Sequence, residues 1–262
     1  MVIGAFFILV YNHLLTKMIE IRHATITDSA NSQFAYDSLY SEGGIDLSDS
    51  YYLWLLEKIK PVPGKVLVDI SCGRGKLASF ARAKGLTVIG LDFSLSAIRV
   101  AQQNDPNLNL LISDGEQIAL KAQVADYVTH IGNLEHYQNP ELGVREVARL
   151  LKPDGMAVIL LPNGFSIAGN VQHVRRTGQV FDDGQPIQRY NTRQGWQDLL
   201  EANGLTVFKT IRYEHFLPRT KRDWILHLKR PSRLLRWALA WVIPFNLSNC
   251  FVYFCRRSSI TD

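Results

Sequence analysis

The chain has 262 residues, of which 47% are hydrophobic and 20% are charged, and these proportions exclude a disordered or low-complexity protein. Its three cysteines are odd in number and lack paired spacing, so neither a disulfide framework nor a structural metal site is predicted. The formal net charge is +5, and residues 219–236 hold seven basic residues against one acidic, so the basic character belongs to that segment.

The first fifteen residues are apolar, yet a membrane-spanning helix needs roughly 20 such residues. A signal peptide would carry basic residues before this stretch and small residues after it, and neither is present. We therefore assign residues 1–35 to an N-terminal extension, with a weak membrane anchor as the alternative, and expect a cytoplasmic protein. Residues 36–262 are assigned to a single domain, in which Tyr36 and Tyr40 either pack into the core or fold over a ligand as a lid.

From residue 65 onward, short β-branched runs alternate with segments of helical spacing. The predicted strands are Lys65–Ile70, Leu86–Leu91, Leu108–Ile112, Ala125–Ile131, Met156–Leu161, Leu205–Tyr213 and Cys250–Arg256. The predicted helices are Lys76–Lys84, Ser94–Gln103, Glu141–Leu151 and Thr192–Asn203. This alternation predicts an α/β fold with a mostly parallel seven-stranded sheet and helices on both faces. The stretches 163–190 and 214–249 do not fit the repeat and are predicted to form the substrate side or a lid.

The turn after the first predicted strand carries the most informative motif. Gly73 and Gly75 leave backbone amides free of side-chain bulk at the start of a helix, as a nucleotide-type ligand requires. The run DISCGRG from Asp69 to Gly75 resembles the first motif of class I S-adenosylmethionine methyltransferases, usually written D-x-G-C-G-x-G. The matching residues are Asp69, Cys72, Gly73 and Gly75, and Ser71 stands where the family usually has its first glycine.

Further landmarks of this family follow in its order. Asp92 ends the second strand, where one carboxylate can accept hydrogen bonds from both ribose hydroxyls. Asp114 and Gly115 follow the third strand. The resemblance implies that an acid at 114 faces the adenine amino group and that Phe93 helps to form the slot for the ring. A simple turn residue is the alternative for Asp114.

The segment after the fourth strand, IGNLEHYQNP at 131–140, is similar to the family's "LEH…P" segment beside the transferred methyl group. It supplies Asn133 on the cofactor side and the candidate catalytic residues Glu135 and His136. A histidine can act as a general base near neutral pH, although a structural role for the pair is an equal alternative. The run REVARLLKPDG at 145–155 resembles the helix and turn that precede the family's fifth strand.

The resemblance implies a core of about residues 64–162 that binds S-adenosylmethionine and transfers its methyl group by in-line displacement. No metal or catalytic triad is expected, because the cofactor carries an electrophilic methyl group. A small-molecule, glycan or lipid acceptor is predicted. Nucleic acid is not expected, because residues 132–135 lack the N-P-P-Y type tetrapeptide of base-amine methyltransferases.

Three alternatives remain open at this point. Residues 219–245 interleave basic residues with Trp and Leu, which suits either peripheral contact with an anionic membrane or a helical lid. Because Ser71 departs from the motif, a non-catalytic S-adenosylmethionine-binding protein is a second alternative. A nicotinamide-dependent oxidoreductase is a third, but it expects G-x-G-x-x-G, whereas Ala78 takes the third glycine position.

Overall fold

The computed structural model describes residues 18–23, 28–42, 44, 47–214, 217–229, 237–238 and 240–259. The apolar stretch at 1–17 and the basic residues Arg230, Arg233 and Arg236 lie outside the described residues, so their predicted roles stay predictions. Within those described ranges, no helix is both long enough and apolar enough to span a bilayer.

Nine strands and eight α-helices make up the described chain. In chain order the strands are β1 (Ile19–Arg22), β2 (Val66–Ile70), β3 (Thr87–Asp92), β4 (Asn109–Ile112), β5 (Ala125–Ile131), β6 (Leu151–Pro162), β7 (Ile187–Tyr190), β8 (Leu205–Tyr213) and β9 (Cys250–Arg257). The helices are α1 (Ser29–Ser41), α2 (Asp49–Ile59), α3 (Lys76–Ala83), α4 (Leu95–Asn104), α5 (Pro140–Leu150), α6 (Asn170–Thr177), α7 (Arg193–Ala202) and α8 (Lys221–Lys229). Short 3-10 turns lie at Leu134–His136, Ala240–Val242 and Phe245–Leu247.

Seven of the strands form one sheet in the order β4-β3-β2-β5-β6-β9-β8. The first five run parallel, and β9 runs antiparallel to both of its neighbours. The predicted α/β fold with a mostly parallel seven-stranded sheet is therefore confirmed. The chain leaves β2 toward one edge through β3 and β4 and then returns to β5 on the other side of β2. This reversal opens a crevice at the carboxyl ends of β2 and β5, where ligands of such sheets bind.

The sheet is covered by helices on both faces, as predicted. On one face, the apolar sides of α5 and α7 pack against Val68 and Val128 of the sheet. Trp196 of α7 is fully buried in this layer. On the other face, α2 and α3 pack with alternate residues of the same strands, such as Leu67 and Val88. A strand buried on both faces needs apolar residues at every position, which explains the continuous apolar runs in the sequence.

Most predicted helix and strand limits agree with the structure within one or two residues. Ser94 and Thr192 cap α4 and α7 by accepting hydrogen bonds from the backbone amides of Ala97 and Gly195. The main difference is β6, which begins at Leu151 rather than at Met156. Leu151 already pairs with Ala125, so the Asp-Gly turn is an irregularity within the strand rather than a boundary before it.

A small second sheet was not predicted from the sequence. Strands β1 and β7 pair antiparallel, with Ile19 opposite Tyr190 and Arg22 opposite Ile187. Strand β7 (IQRY) has buried polar side chains and no apolar alternation, so its sequence does not read as a strand. The predicted boundary between residues 35 and 36 falls within α1, whose first turn is capped by Asp28.

Candidate active site

The turn that follows β2 is held in an unusual backbone conformation. Gly73 and Gly75 have φ values of 52° and 71°, and Ser71 has a φ of 53°. Ser71, which stands where the resembled motif has its first glycine, therefore has a left-handed backbone conformation. This conformation costs a non-glycine residue about 1 kcal/mol of stability. The Oγ atom of Ser71 lies 2.9 Å from the Oη atom of Tyr137, which links this turn to the segment after β5.

The carboxylate of Asp92 joins the ends of β2 and β3. Its two oxygens accept hydrogen bonds from the backbone amides of Gly73 and Ser94, each at 2.9 Å. The side chain is buried, and burial raises the pKa of Asp92 to about 6 despite these hydrogen bonds. Asp92 therefore shapes the glycine turn in addition to facing the cavity beside it.

A second buried carboxylate, Asp69, lies near the end of β2. It accepts a hydrogen bond from Oγ1 of Thr129 at 2.7 Å, and burial raises the pKa of Asp69 to about 7. The neighbouring thiol is half-buried, and its partial removal from solvent raises the pKa of Cys72 above its ordinary value. A thiol that resists ionisation is a poor nucleophile.

Most of the predicted cofactor-binding residues line two adjoining cavities at the carboxyl ends of these strands. The first, of about 40 Å³, is lined among others by Ser71, Asp92, Phe93, Asp114, Gly115, Asn133 and His136. The second, of about 250 Å³, is lined among others by Asp69, Ser71, Cys72, Gly73 and Asn133. Gly75 lines neither cavity. A Cβ atom on Gly75 would lie 3.0 Å from Ala101 and Leu108 side chains, so this glycine permits close packing against α4.

The turn after β4 forms one wall of the first cavity. Oδ1 of Asp114 accepts a hydrogen bond from the backbone amide of Glu116 at 2.9 Å. This contact is the one expected if Asp114 is a turn residue, which was the alternative to adenine binding. Gly115 has no room for a side chain, because a Cβ atom there would lie 1.8 Å from the Oη atom of Tyr137. Tyr137 thus contacts both walls of this cavity, through Ser71 and beside Gly115.

Helix α1 lies across the mouth of both cavities. Tyr36 and Tyr40 line the first and the second cavity alike. The Oη atom of Tyr36 donates to Oε1 of Gln185 at 2.8 Å, and its ring centroid lies 5.5 Å from that of Phe93. The side-chain amide of Gln33 also donates to the backbone carbonyl of Phe93. Tyr36 therefore packs beside Phe93, and the alternative of a lid formed by Tyr36 and Tyr40 stays a prediction.

Glu135 and His136 form a buried titratable pair after β5. The Nδ1 atom of His136 lies 2.5 Å from the carbonyl oxygen of Ile187, so Nδ1 carries the proton and Nε2 presents a lone pair. Burial lowers the pKa of His136, so the imidazole is neutral near pH 7. Burial also raises the pKa of Glu135 to about 8, and its Oε1 atom lies 3.8 Å from Nε2 of His136.

The segment after β5 is braced by Arg189 of β7, a residue that the sequence analysis did not single out. The buried guanidinium donates hydrogen bonds to the carbonyl oxygens of Tyr137 and Gln138 and pairs with Oε2 of Glu20 at 2.8 Å. Arg22 of the same β1 strand contacts the other oxygen of Glu20, also at 2.8 Å. One arginine inside a four-residue strand carries no sequence signal for this role.

A third cavity, of about 740 Å³, lies on the other side of this segment. It shares Gly132, Gln185 and Cys250 with the second cavity and His136 with the first. Of the described residues, no three His, Cys, Asp or Glu side chains cluster in a way that could hold a metal ion.

Comparison with known proteins identifies the central part of the chain. Residues 68–159 match the model of the family described as "Methyltransferase domain". The demethylmenaquinone methyltransferase of Corynebacterium kroppenstedtii is 27% identical over 139 residues, which cover 52% of this chain and 58% of that protein. The ubiquinone biosynthesis O-methyltransferase of Ralstonia nicotianae is 36% identical over 106 residues, which cover 38% of this chain and 44% of that protein.

The matched part of this chain therefore spans about half the length of these curated relatives. The fold is also similar to solved structures. An S-adenosylmethionine-dependent methyltransferase from Mesorhizobium loti superposes with a TM-score of 0.58 at 18% identity, covering 82% of this chain and all of the other. At that identity the likeness establishes a Rossmann-like fold of the kind found in methyltransferases.

The buried carboxyl group of Glu135 predicts a pH dependence of stability. The folded protein keeps this proton up to a pH of about 8, whereas the unfolded chain loses it near 4.5, so the free energy of unfolding falls as the pH rises between them. Glu135→Gln should remove a slope of up to about 1.4 kcal/mol per pH unit. Urea unfolding at pH 5, 6, 7 and 8 measures this. Glu201 is an exposed carboxylate on α7, so the free energy of unfolding of Glu201→Gln should change with pH as that of the wild type does. The same pH dependence in Glu135→Gln would contradict the prediction.

The Arg189 brace predicts a specific loss of stability. Arg189→Met leaves Glu20 buried with only the partly exposed Arg22, so the free energy of unfolding should fall by about 3 kcal/mol. Arg22→Met should cost about 1 kcal/mol, because the buried pair remains. Adding Glu20→Gln to Arg189→Met should restore part of the loss. Chemical denaturation of the wild type and these three variants measures these values, and equal effects of the two arginine substitutions would contradict the proposed brace.

Proposed function

We propose that this chain, which belongs to the class I S-adenosylmethionine-dependent methyltransferases, transfers a methyl group from that cofactor to a small-molecule acceptor. The observation that carries the proposal is the continuity of the site. Predicted cofactor residues from the ends of three parallel strands line two adjoining cavities, and His136 lines both the first of these and the third cavity.

The residues present fit the cofactor. Asp92 lines the first cavity at the end of β3, and its carboxylate can accept further hydrogen bonds from ribose hydroxyls. Phe93 and Asp114 line the same cavity and supply an apolar surface and a polar group for the adenine ring. Gly73 lines the second cavity, where a Cβ atom would lie 2.6 Å from the Oη atom of Tyr40, so the loop approaches the lid closely.

When bound, S-adenosylmethionine supplies a methyl group on a positively charged sulfur, which needs little activation. The protein's contribution is to orient the acceptor and to exclude water. Tyr36 and Tyr40 of α1 exclude water above the two cofactor cavities. We assign to His136 the role of general base. Burial keeps its imidazole neutral, and the hydrogen bond from Nδ1 to the carbonyl of Ile187 leaves the lone pair on Nε2.

Glu135 is assigned a supporting role beside this base. Its carboxyl group is largely protonated at neutral pH, because burial raises its pKa to about 8. A protonated carboxyl group can donate a hydrogen bond and does not compete for the acceptor's proton. The matched relatives are named for quinone biosynthesis, which supports an acceptor of small-molecule size, with glycan and lipid acceptors as the other classes.

We further propose that residues 219–245 contact an anionic membrane surface. The described part of this segment exposes large apolar side chains, with Leu228 66%, Trp241 72% and Val242 76% exposed. The same segment carries basic residues on α8, including Lys221 and Lys229. Exposed apolar side chains beside basic ones match an interface with acidic headgroups.

Ligand-dependent stability tests the cofactor. S-adenosylhomocysteine at a hundred times its dissociation constant should stabilise the protein by about 2.7 kcal/mol, which raises the unfolding midpoint by several degrees. Asp92→Asn should abolish most of this increase, and Asp198→Asn on the exposed side of α7 should retain it. Stabilisation by NAD alone, or by neither ligand, would refute the proposed cofactor. Stabilisation without methyl transfer to any acceptor would favour the non-catalytic alternative.

Vesicle flotation tests the membrane contact. The protein should float with vesicles that contain phosphatidylglycerol and remain behind with pure phosphatidylcholine, because each basic residue near an anionic surface contributes about 1 kcal/mol. Trp241→Ser should reduce flotation several-fold, since it removes an exposed apolar side chain. Phe34→Ser removes a side chain that is 78% exposed on α1 and should have no effect. Equal flotation of both variants would contradict the proposed contact.

A further inference from the structure

The third cavity is larger than the two cofactor cavities and lies where an acceptor could approach them. We infer that it is the acceptor site and that it takes an uncharged, hydroxyl-rich acceptor of the sugar or polyol class. This inference rests on the proposed methyl transfer and narrows its acceptor. At about 740 Å³ the cavity is within the size range of small-molecule sites.

The cavity is adjacent to the places where the reaction would occur. Gly132, Gln185 and Cys250 line both this cavity and the second cavity. His136 lines both this cavity and the first. A molecule bound here can therefore extend past Gly132 toward the cofactor side while it remains beside the proposed base.

The lining is rich in side-chain amides. Six of the residues that line the cavity are Asn163, Asn170, Gln172, Gln185, Gln188 and Asn249. An amide offers both a donor and an acceptor, and a hydroxyl group does the same, so several amides around one cavity complement several hydroxyl groups. Two of the six hold neighbouring segments. Asn163 donates to the carbonyl oxygens of Asn246 and Ser248, and Gln185 accepts from Tyr36 and donates to Asp183.

Two lining residues each have a buried oxygen without a partner among the residues that the structure describes. These atoms are Oε2 of Glu135 and Oε1 of Gln188. The other end of the Gln188 amide is already used, because its Nε2 atom donates to the carbonyl oxygen of Arg189 at 3.2 Å. Buried polar atoms of this kind are usually satisfied, so they indicate a ligand or solvent that forms hydrogen bonds here. Oε1 of Gln188 needs a donor, whereas the protonated carboxyl group of Glu135 can donate or accept. A hydroxyl group can meet both needs, because it donates and accepts.

The charges around the cavity favour a neutral acceptor. Arg176 and His173 line it together with Asp183, so neither sign dominates. An anionic acceptor would need a predominance of cations, and a cationic one would need several free carboxylates. Phe181 and Tyr190 are the Phe and Tyr side chains among the described lining residues, and the ring centroid of Phe181 lies 5.3 Å from that of His173 in an edge-to-face contact.

The reaction that this site implies is an O-methylation. The acceptor's hydroxyl oxygen forms a bond to the methyl carbon as the bond from that carbon to the cofactor's sulfur breaks. The hydroxyl proton passes to Nε2 of His136, and the products are a methyl ether and S-adenosylhomocysteine. No oxidant or metal is required for this balance.

The test combines binding and turnover with defined probes. The full-length protein, with S-adenosylhomocysteine bound, is examined by saturation-transfer NMR with methyl glucoside, methyl mannoside and methyl rhamnoside, and with a planar catechol as the comparison. Radiolabelled S-adenosylmethionine then measures methyl transfer to the same probes and to a glycolipid in vesicles. At least one glycoside should bind and be methylated. Transfer to the free glycoside indicates a soluble source, and transfer only to the vesicle-bound form indicates a lipid-linked source.

A matched pair of variants tests the cavity itself. Gln188→Met keeps the length of the side chain and removes its amide, so KM for the glycoside should rise about tenfold, as expected for the loss of one hydrogen bond. S-adenosylhomocysteine binding should remain unchanged, which also shows that the variant is folded. Gln194→Met makes the same change on the exposed side of α7 and should leave KM unaltered.

The outcomes separate this inference from the proposed function. If S-adenosylhomocysteine stabilises the protein but neither a glycoside nor the glycolipid is bound or methylated, or if only the catechol is methylated, the acceptor class is wrong while the methyltransferase proposal stands. An unchanged KM in Gln188→Met likewise overturns the assigned cavity. If S-adenosylhomocysteine fails to bind at all, the proposed function fails first.

Discussion

The carboxylate of Asp92 joins the two turns that border the first and second cavities. It accepts hydrogen bonds from the backbone amides of Gly73 and Ser94, which belong to the turns after β2 and β3. The left-handed conformations at Ser71 and Gly73 are unfavourable for most residues and persist only where neighbouring groups hold them. The cofactor cavities lie beside these turns, so their shape depends on this one buried acid.

The acceptor side depends on a second constraint, which comes from the smaller sheet. Arg189 of β7 holds the carbonyl oxygens after β5, and the carbonyl of Ile187 in the same strand orients His136. Glu20 of β1 balances the buried charge of Arg189. Strands β1 and β7 therefore together position His136, which lines both the first and the third cavity.

Burial sets the protonation state of the candidate catalytic pair. A neutral imidazole next to a largely protonated carboxyl group has no net charge to solvate, which makes its burial at the base of a cavity tolerable. Such a pair is a modest base rather than a strong one. That is sufficient where the cofactor provides the electrophile and where the protein chiefly orients the reactants.

The sequence by itself determined the central sheet, because a parallel strand covered on both faces needs continuous apolar residues and its helices need caps. It also determined the residues beside the cofactor cavities, since the glycine turn, Asp92 and the LEH segment are local features in a recognisable order. Only the tertiary structure decided the rest. Arg189, Gln188 and Glu20 are buried polar residues in two four-residue strands, and no motif marks them. The role of these residues exists only when β1 and β7 meet beside the segment after β5, because a buried polar group acquires its function from the partner that folding brings to it.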